Sequence, residues 1–177
     1  MKFRVLVPVL AFLFAFVLAA NAADDKKEPL RPKPTKHAGL DQFKSLAGEW
    51  VGKGGHEAEE LHVIYKVTSN GSAVIETIMP GTAHEMVTVI HPDGDDLILT
   101  HYCALGNQPK MRAKTKGDDK KVAFEFVSAT NMKSDKDMHM HSVTFKFVDK
   151  DTLKADWVHY MDGKAAGDVS FELKRKK

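Results

Sequence analysis

Cysteine is nearly absent from this chain of 177 residues, because Cys103 is the only one. A single cysteine cannot form an intramolecular disulfide, so core packing has to stabilise the fold. Cys103 closes an alternating apolar run at 97–103, which predicts a buried, unreactive thiol rather than a nucleophile. The chain also lacks a Gly-x-Ser-x-Gly elbow, a glycine-rich phosphate loop, a Cys-x-x-Cys pair and paired carboxylates on one predicted strand. These absences favour a binding protein over an enzyme.

An excess of charge of one sign is missing too. The whole chain has 26 Lys and Arg against 24 Asp and Glu. Lys2 and Arg4 are the only charged residues among the first 22, so residues 23–177 are formally neutral. A nucleic-acid-binding protein needs a basic surface that releases counterions. The charge balance therefore argues against nucleic acid as a partner.

Long apolar runs are confined to the N-terminus. After two basic residues, positions 5–19 are almost entirely apolar, and Ala20-Asn21-Ala22 offers the small residues that signal peptidase recognises. The run is too short for the hydrocarbon core of a bilayer. We expect residues 1–22 to be a signal peptide, no integral membrane anchor to remain after its cleavage, and the mature protein to be periplasmic or extracellular. Residues 23–39, with three prolines among charged residues, are predicted to be a disordered linker before one domain at 40–177.

That domain begins with a helical pattern and continues with strands. Leu40, Phe43 and Leu46 share one face of a short helix, which Gly48 is expected to end. Asn70-Gly71 is the strongest hairpin signal, because a type I′ turn needs positive φ at both central positions. Alternating segments between turn residues predict a strand near Trp50 and nine more. Those nine cover residues 61–68, 72–79, 84–91, 97–103, 111–116, 121–127, 138–148, 152–161 and 168–174.

About ten strands in sequential order predict an all-β fold: an antiparallel up-and-down β-barrel with a short N-terminal helix. Closure into a barrel removes the free edges that favour aggregation. On the third strand we expect Ala73, Ile75 and Thr77 to line the core, with Glu76 on the other face. The remaining inner face is predicted to carry Val63, Tyr65, Met86, Ile90, Leu99, His101, Met111, Ala113, Phe124, Phe126, Val143, Phe145, Phe147, Val169, Phe171 and Leu173.

The start of the first strand carries a family motif. Gly48-x-Trp50, directly after the helix, resembles the Gly-x-Trp motif that opens the calycins, which include lipocalins and fatty-acid-binding proteins. The longer form, which adds Gly52 and Gly54, is similar to the opening of nitrobindin-like haem barrels. The resemblance implies a β-barrel of a lipocalin-like family of exported bacterial proteins without an assigned activity. It also implies that Trp50 closes one end of the barrel beneath Arg175 of the last strand.

Two features depart from these families. Lipocalins usually carry a disulfide and a C-terminal helix, whereas this chain has one cysteine and ends its pattern in a strand. Nitrobindin-like proteins take their haem-ligating His from near the start of the last strand, where this chain has Gly167-Asp168-Val169. The resemblance therefore leaves the ligand open.

Histidines are the main candidates for binding. Alternation places His101, His141 and His159 on the inner face, where an unpaired imidazole costs about 1–3 kcal/mol. Each should therefore contact a hydrogen-bond partner, a metal or a ligand. His139 shares the face of His141, and imidazole beside the thioethers of Met138 and Met140 suits copper, although these methionines are expected on the opposite face. The favoured alternative is a polar patch whose members satisfy one another.

The uncharged loop at 103–109 is either an ordinary turn or a lid that presents Asn107 and Gln108 to a ligand. The leading hypothesis is an exported β-barrel binding module that holds a small, mainly apolar molecule in its lumen. The alternatives are a metal- or haem-binding barrel that uses His139, His141 or other lumen histidines, with haem or copper as cofactor, and an enzyme with His101 as general base. No catalytic residue is assigned. The predicted ligand-binding residues are His101, Tyr102, Asn107, Phe124, His141, Phe145 and His159.

Overall fold

The structure, a computed structural model, describes residues 36–54, 60–116 and 119–177. The predicted signal peptide and residues 23–35 of the predicted linker lie outside the described residues. No helix formed by the described ranges is both long enough and apolar enough to cross a membrane. The elements are α1 (Ala38–Lys44), β1 (Gly48–Gly54), β2 (Leu61–Thr68), β3 (Ala73–Ile78), β4 (Met86–Asp93), β5 (Asp96–Tyr102), β6 (Gln108–Lys114), β7 (Lys121–Thr130), β8 (His139–Asp149), β9 (Thr152–Met161) and β10 (Lys164–Arg175).

The ten strands form a closed antiparallel barrel, which confirms the predicted fold class. Each strand pairs with its neighbours in the chain, and β1 pairs with β10 to close the ring. The seam is tight at Gly52, where a Cβ would overlap the carbonyl oxygen of Glu172. Glycine is therefore required where the first and last strands meet.

Helix α1 plugs one end of the barrel. It begins at Ala38, inside the predicted linker, because the Nδ1 of His37 accepts a hydrogen bond from the Leu40 amide at 3.1 Å and caps the first turn. It ends at Lys44, earlier than predicted, and Gly48 instead starts β1 with φ +126°. The predicted apolar face is buried: Leu40, Phe43 and Leu46.

Trp50 lies at the same end, beneath Arg175, as the resemblance implies. The guanidinium carbon of Arg175 is 4.4 Å from the centroid of the Trp50 ring. Two of its nitrogens donate to the carbonyl oxygens of Ala47 and Ser45, both at 2.8 Å. The Trp50 indole donates to the Leu46 carbonyl oxygen at 2.7 Å. The last strand is thereby tied to the chain that leaves α1.

Side chains fill the interior next to α1. Phe43 makes edge-to-face contacts with Phe124, Phe145 and Phe147, with ring centroids 5.2–5.8 Å apart. A cavity that admits water leaves accessible surface on its walls, and Phe43, Phe124 and Phe145 have none. This half of the barrel is a packed core rather than a hollow.

Some turns and strand ends differ from the prediction. Asn70 and Gly71 have positive φ, as expected, but Thr68 pairs with Ala73, so residues 69–72 form a four-residue loop rather than a type I′ turn. β10 begins four residues early because a β-bulge next to Gly167 lets the strand continue through a sequence that does not alternate.

A second bulge changes the faces of β8. It lies between Met140 and Ser142, opposite His159 and Val158. An extra residue on one strand shifts the alternation of side chains by one position. Met140, predicted on the outer face, packs against the core as a result, whereas Met138 is exposed.

Candidate functional site

The interior beyond the packed core carries a row of four buried polar side chains. Tyr65, Glu76, Thr88 and His101 occupy paired positions on β2, β3, β4 and β5, so they lie side by side across the sheet. The Tyr65 hydroxyl donates to Glu76 Oε1 at 2.5 Å, and Thr88 Oγ1 is 3.0 Å from His101 Nδ1. The predicted orientation of β3 is therefore wrong, since Glu76 faces inward. Hydrogen bonds from neighbouring strands make this carboxyl group tolerable inside the barrel.

Burial governs the protonation of this row. It raises the pKa of Glu76, while hydrogen bonds from Tyr65 and Thr88 oppose the increase. It also lowers the pKa of His101 to about 4, so the imidazole is neutral at pH 7. The His101 ring packs against Trp157, with centroids 4.7 Å apart. Three buried atoms of this region have no hydrogen-bond partner among the described residues: Glu76 Oε2, His101 Nε2 and Trp157 Nε1.

A cleft opens at the end of the barrel opposite α1, where β7 and β8 diverge. Their pairing ends at Glu125 and Ser142, although β7 continues to Thr130 and β8 starts at His139. Residues 131–138 connect the two separated strand ends. The cleft has a volume of about 450 Å³ and is lined by Phe126, Ser128, Ala129, Met132, Lys133, Ser134, Asp135, His139, His141, Tyr160 and Gly163.

Within the cleft, the imidazole of His141 lies between two aromatic rings. Its centroid is 4.6 Å from that of Phe126 and 3.6 Å from that of Tyr160, with interplanar angles of 14° and 11°. Its Nδ1 is 3.0 Å from the Nε2 of His139, whose own Nδ1 is 2.8 Å from the Asp137 carbonyl oxygen. Burial and the neighbouring His139 lower the pKa of His141. The cleft therefore combines a flat apolar wall with a chain of hydrogen bonds.

The predicted ligand-binding residues do not form one site. Only His141 lines the cleft; Phe124 and Phe145 belong to the packed core, and His101 to the polar row. Tyr102, which alternates with His101, is on the outer face with 50% of its surface exposed. The suggested pairing of His101 with Tyr102 in an enzyme therefore has no support from their orientation.

The loop at 103–107 connects two parts of the rim. Asn107 is buried, but its Nδ2 donates to the Met138 carbonyl oxygen at 2.8 Å, which joins this loop to the loop at 131–138. Gln108 starts β6 and lies outside the loop. β5 ends before Cys103, which is half-buried in the loop, and burial raises the pKa of its thiol. A raised thiol pKa agrees with the predicted unreactive cysteine.

Metal ligands are sparse. No group of three or more His, Cys, Asp or Glu side chains among the described residues is placed to hold a metal ion. His139 and His141 form a pair whose facing nitrogens share a hydrogen bond. The ring of His159 lies over Gly167, where a Cβ would be 2.6 Å from its Cε1. An imidazole from β9 therefore covers the last strand at Gly167.

Sequence reasoning missed two groups in these regions. Tyr160 is absent from the predicted site because its position beside His141 depends on the bulge in β8, which leaves no mark in the pattern of apolar residues. Glu76 is predicted on the outer face because both faces of β3 are largely apolar. Its position between Val74 and Ile78, opposite Tyr65, was the available signal.

Comparisons with known proteins support the fold. No family model matches this sequence, and no curated protein is similar to it in sequence. The structure is similar to that of Rv2717c from M. tuberculosis, with a TM-score of 0.57 and 11% identity over 78% of this chain and 98% of that one. It is also similar to a protein of unknown function of the DUF3598 family from Nostoc punctiforme PCC 73102, with a TM-score of 0.52 and 12% identity. That match covers 82% of this chain and 50% of the other. These likenesses fit a calycin-like barrel and establish the fold alone.

Proposed function

We propose that this protein is an exported, lipocalin-like binding module that holds a small, flat, mainly apolar molecule. The ligand lies in the cleft between β7 and β8 rather than in the packed half of the lumen. The observation that carries the proposal is a cavity of about 450 Å³ walled by Phe126, His141 and Tyr160. Cavities of about 300–1,000 Å³ with apolar walls and a few polar groups are typical of small-molecule sites.

The cleft is preorganised by its connecting loop. The carboxylate of Asp137 accepts hydrogen bonds from the Lys133 amide at 2.7 Å and the Ser134 hydroxyl at 3.0 Å. The bond from Asn107 to the Met138 carbonyl holds the end of the same loop. A site formed before the ligand arrives loses less conformational entropy on binding, which favours affinity.

The test is a thermal-unfolding screen of the protein with flat aromatic probes such as 2-methoxynaphthalene. A ligand that binds only the folded state must raise the unfolding midpoint. Ala129 lines the cleft, so we expect Ala129→Trp to fill the cavity and to weaken binding at least about tenfold. Ala123→Trp, on the same strand but away from the cleft, is the matched control. The proposal fails if no probe raises the midpoint, or if Ala129→Trp responds as the wild type does.

A metal- or haem-binding barrel is the second candidate. A haem site would use the imidazole of His159, which lies against Gly167, and a copper site would use His139 and His141, which line the cleft together with Met132. Visible absorption and elemental analysis of protein purified from its native host test both. A colourless, metal-free preparation that takes up no added haem would reject this candidate.

A further inference from the structure

The hydrogen bonds behind His141 determine which of its nitrogens carries the proton. The carbonyl oxygen of Asp137 can only accept, so the Nδ1 of His139, 2.8 Å away, carries a hydrogen. The Nε2 of a neutral His139 is then a bare acceptor. The Nδ1 of His141, 3.0 Å from it, must be the donor. The Nε2 of His141 is left with an unshared lone pair.

This lone pair belongs to the part of the ring that meets the cleft. Phe126 and Tyr160 cover the two faces of the His141 imidazole, and His139 occupies its Nδ1 side. The remaining edge, which includes Nε2, is what His141 contributes to the wall of the cavity. The hydrogen bonds formed by the described residues give Nε2 no partner. The cleft thus presents one fixed acceptor between two apolar rings.

We propose that the cleft selects flat ligands that carry a hydrogen-bond donor, such as a phenolic hydroxyl or an azole N–H, and binds that donor at the Nε2 of His141. This inference rests on the proposed function. A ligand that fills the cavity removes water from Nε2, and one without a donor leaves this acceptor unsatisfied. Selection therefore comes from the loss that a donor-free ligand suffers as well as from the bond that a donor makes.

The experiment compares two probes of similar shape, 2-naphthol and 2-methoxynaphthalene, by titration calorimetry. Wild-type protein is expected to bind 2-naphthol at least about tenfold more tightly, which corresponds to about 1.4 kcal/mol. His141→Phe keeps a ring between Phe126 and Tyr160 but removes the acceptor. We expect this variant to retain 2-methoxynaphthalene and to lose the preference. His62→Phe, on β2, is the matched control and should keep the preference.

The outcomes separate the two proposals. Equal affinities of the wild type for both probes would overturn the inference and leave the proposed function standing, whereas binding of neither probe would overturn the proposed function. A preference that survives in His141→Phe would place the acceptor elsewhere and reject the inference. Nitrogen-15 NMR of the wild type gives a readout that does not depend on the variant. The Nδ1-protonated form is expected at both His139 and His141, and an Nε2-protonated His141 would overturn the inference.

Discussion

Acid should destabilise this protein through the buried imidazole of His101. Burial lowers its pKa to about 4 in the folded state, whereas an unfolded chain keeps it near 6.5. The folded state therefore resists protonation of His101. The contribution of the neutral imidazole to the unfolding free energy is fully present above about pH 6.5 and is lost as the pH falls toward 4. A pKa difference of about 2.5, at about 1.36 kcal/mol for each pKa unit, predicts a loss of about 3 kcal/mol.

Urea unfolding of the wild type and of His101→Phe between pH 7 and pH 4 measures this loss. Phenylalanine keeps a ring against Trp157 but does not titrate, so the difference in unfolding free energy between the two proteins should change by about 3 kcal/mol over this range. Glu76, whose pKa is raised by burial, acts with the opposite sign. Its contribution to the unfolding free energy is present at low pH and is lost as the pH rises. It is present in both proteins, so the comparison largely removes its contribution. His84→Phe, at an exposed position, is the control, and parallel pH profiles for the wild type and His101→Phe would refute the reasoning.

Two substitutions test how the barrel closes. Arg175→Lys keeps the charge but loses the flat contact with Trp50 and the paired hydrogen bonds to carbonyl oxygens. We therefore expect urea unfolding to show an unfolding free energy about 1–2 kcal/mol lower than that of the wild type. An unchanged midpoint would mean that the contact between Arg175 and Trp50 does not stabilise the fold. Gly52→Ala forces a Cβ against the Glu172 carbonyl oxygen. We expect the unfolding free energy to fall by about 1–3 kcal/mol and the amide hydrogens of β1 and β10 to exchange faster. Amide protection equal to that of the wild type would contradict a tight contact between the two strands.

Much of the fold was predictable because its signals are local. The alternation along each strand and the turn residues between strands each involve only a few neighbouring positions. Both signals can therefore be recognised in the sequence. Phe145 lies between the polar residues Thr144 and Lys146, Phe124 precedes Glu125, and both rings are buried as expected. The motif at Gly48 and Trp50 pointed to the end of the barrel that Arg175 covers.

The parts that failed depend on partners far away in the chain. Glu76 faces inward because β2 and β4 place Tyr65 and Thr88 beside it, and the composition of β3 alone fits either orientation. Met140 packs against the core because one extra residue in β8 reverses the alternation that holds from Val143 onward. A shift of one residue moves a side chain to the other face of a sheet, so small errors of register become large errors of placement.

The amino-acid sequence by itself determined the number of strands, their order and most of the core, since these follow from local periodicity and from the need to bury apolar surface. Only the tertiary structure decided where space remains for a ligand. Phe43 of α1 fills the half of the barrel that the pattern suggested was hollow, while the separation of β7 from β8 creates the cleft around His141. The size of a cavity depends on the distances between packed elements. Those distances result from many contacts between segments, so no single segment of the sequence determines them.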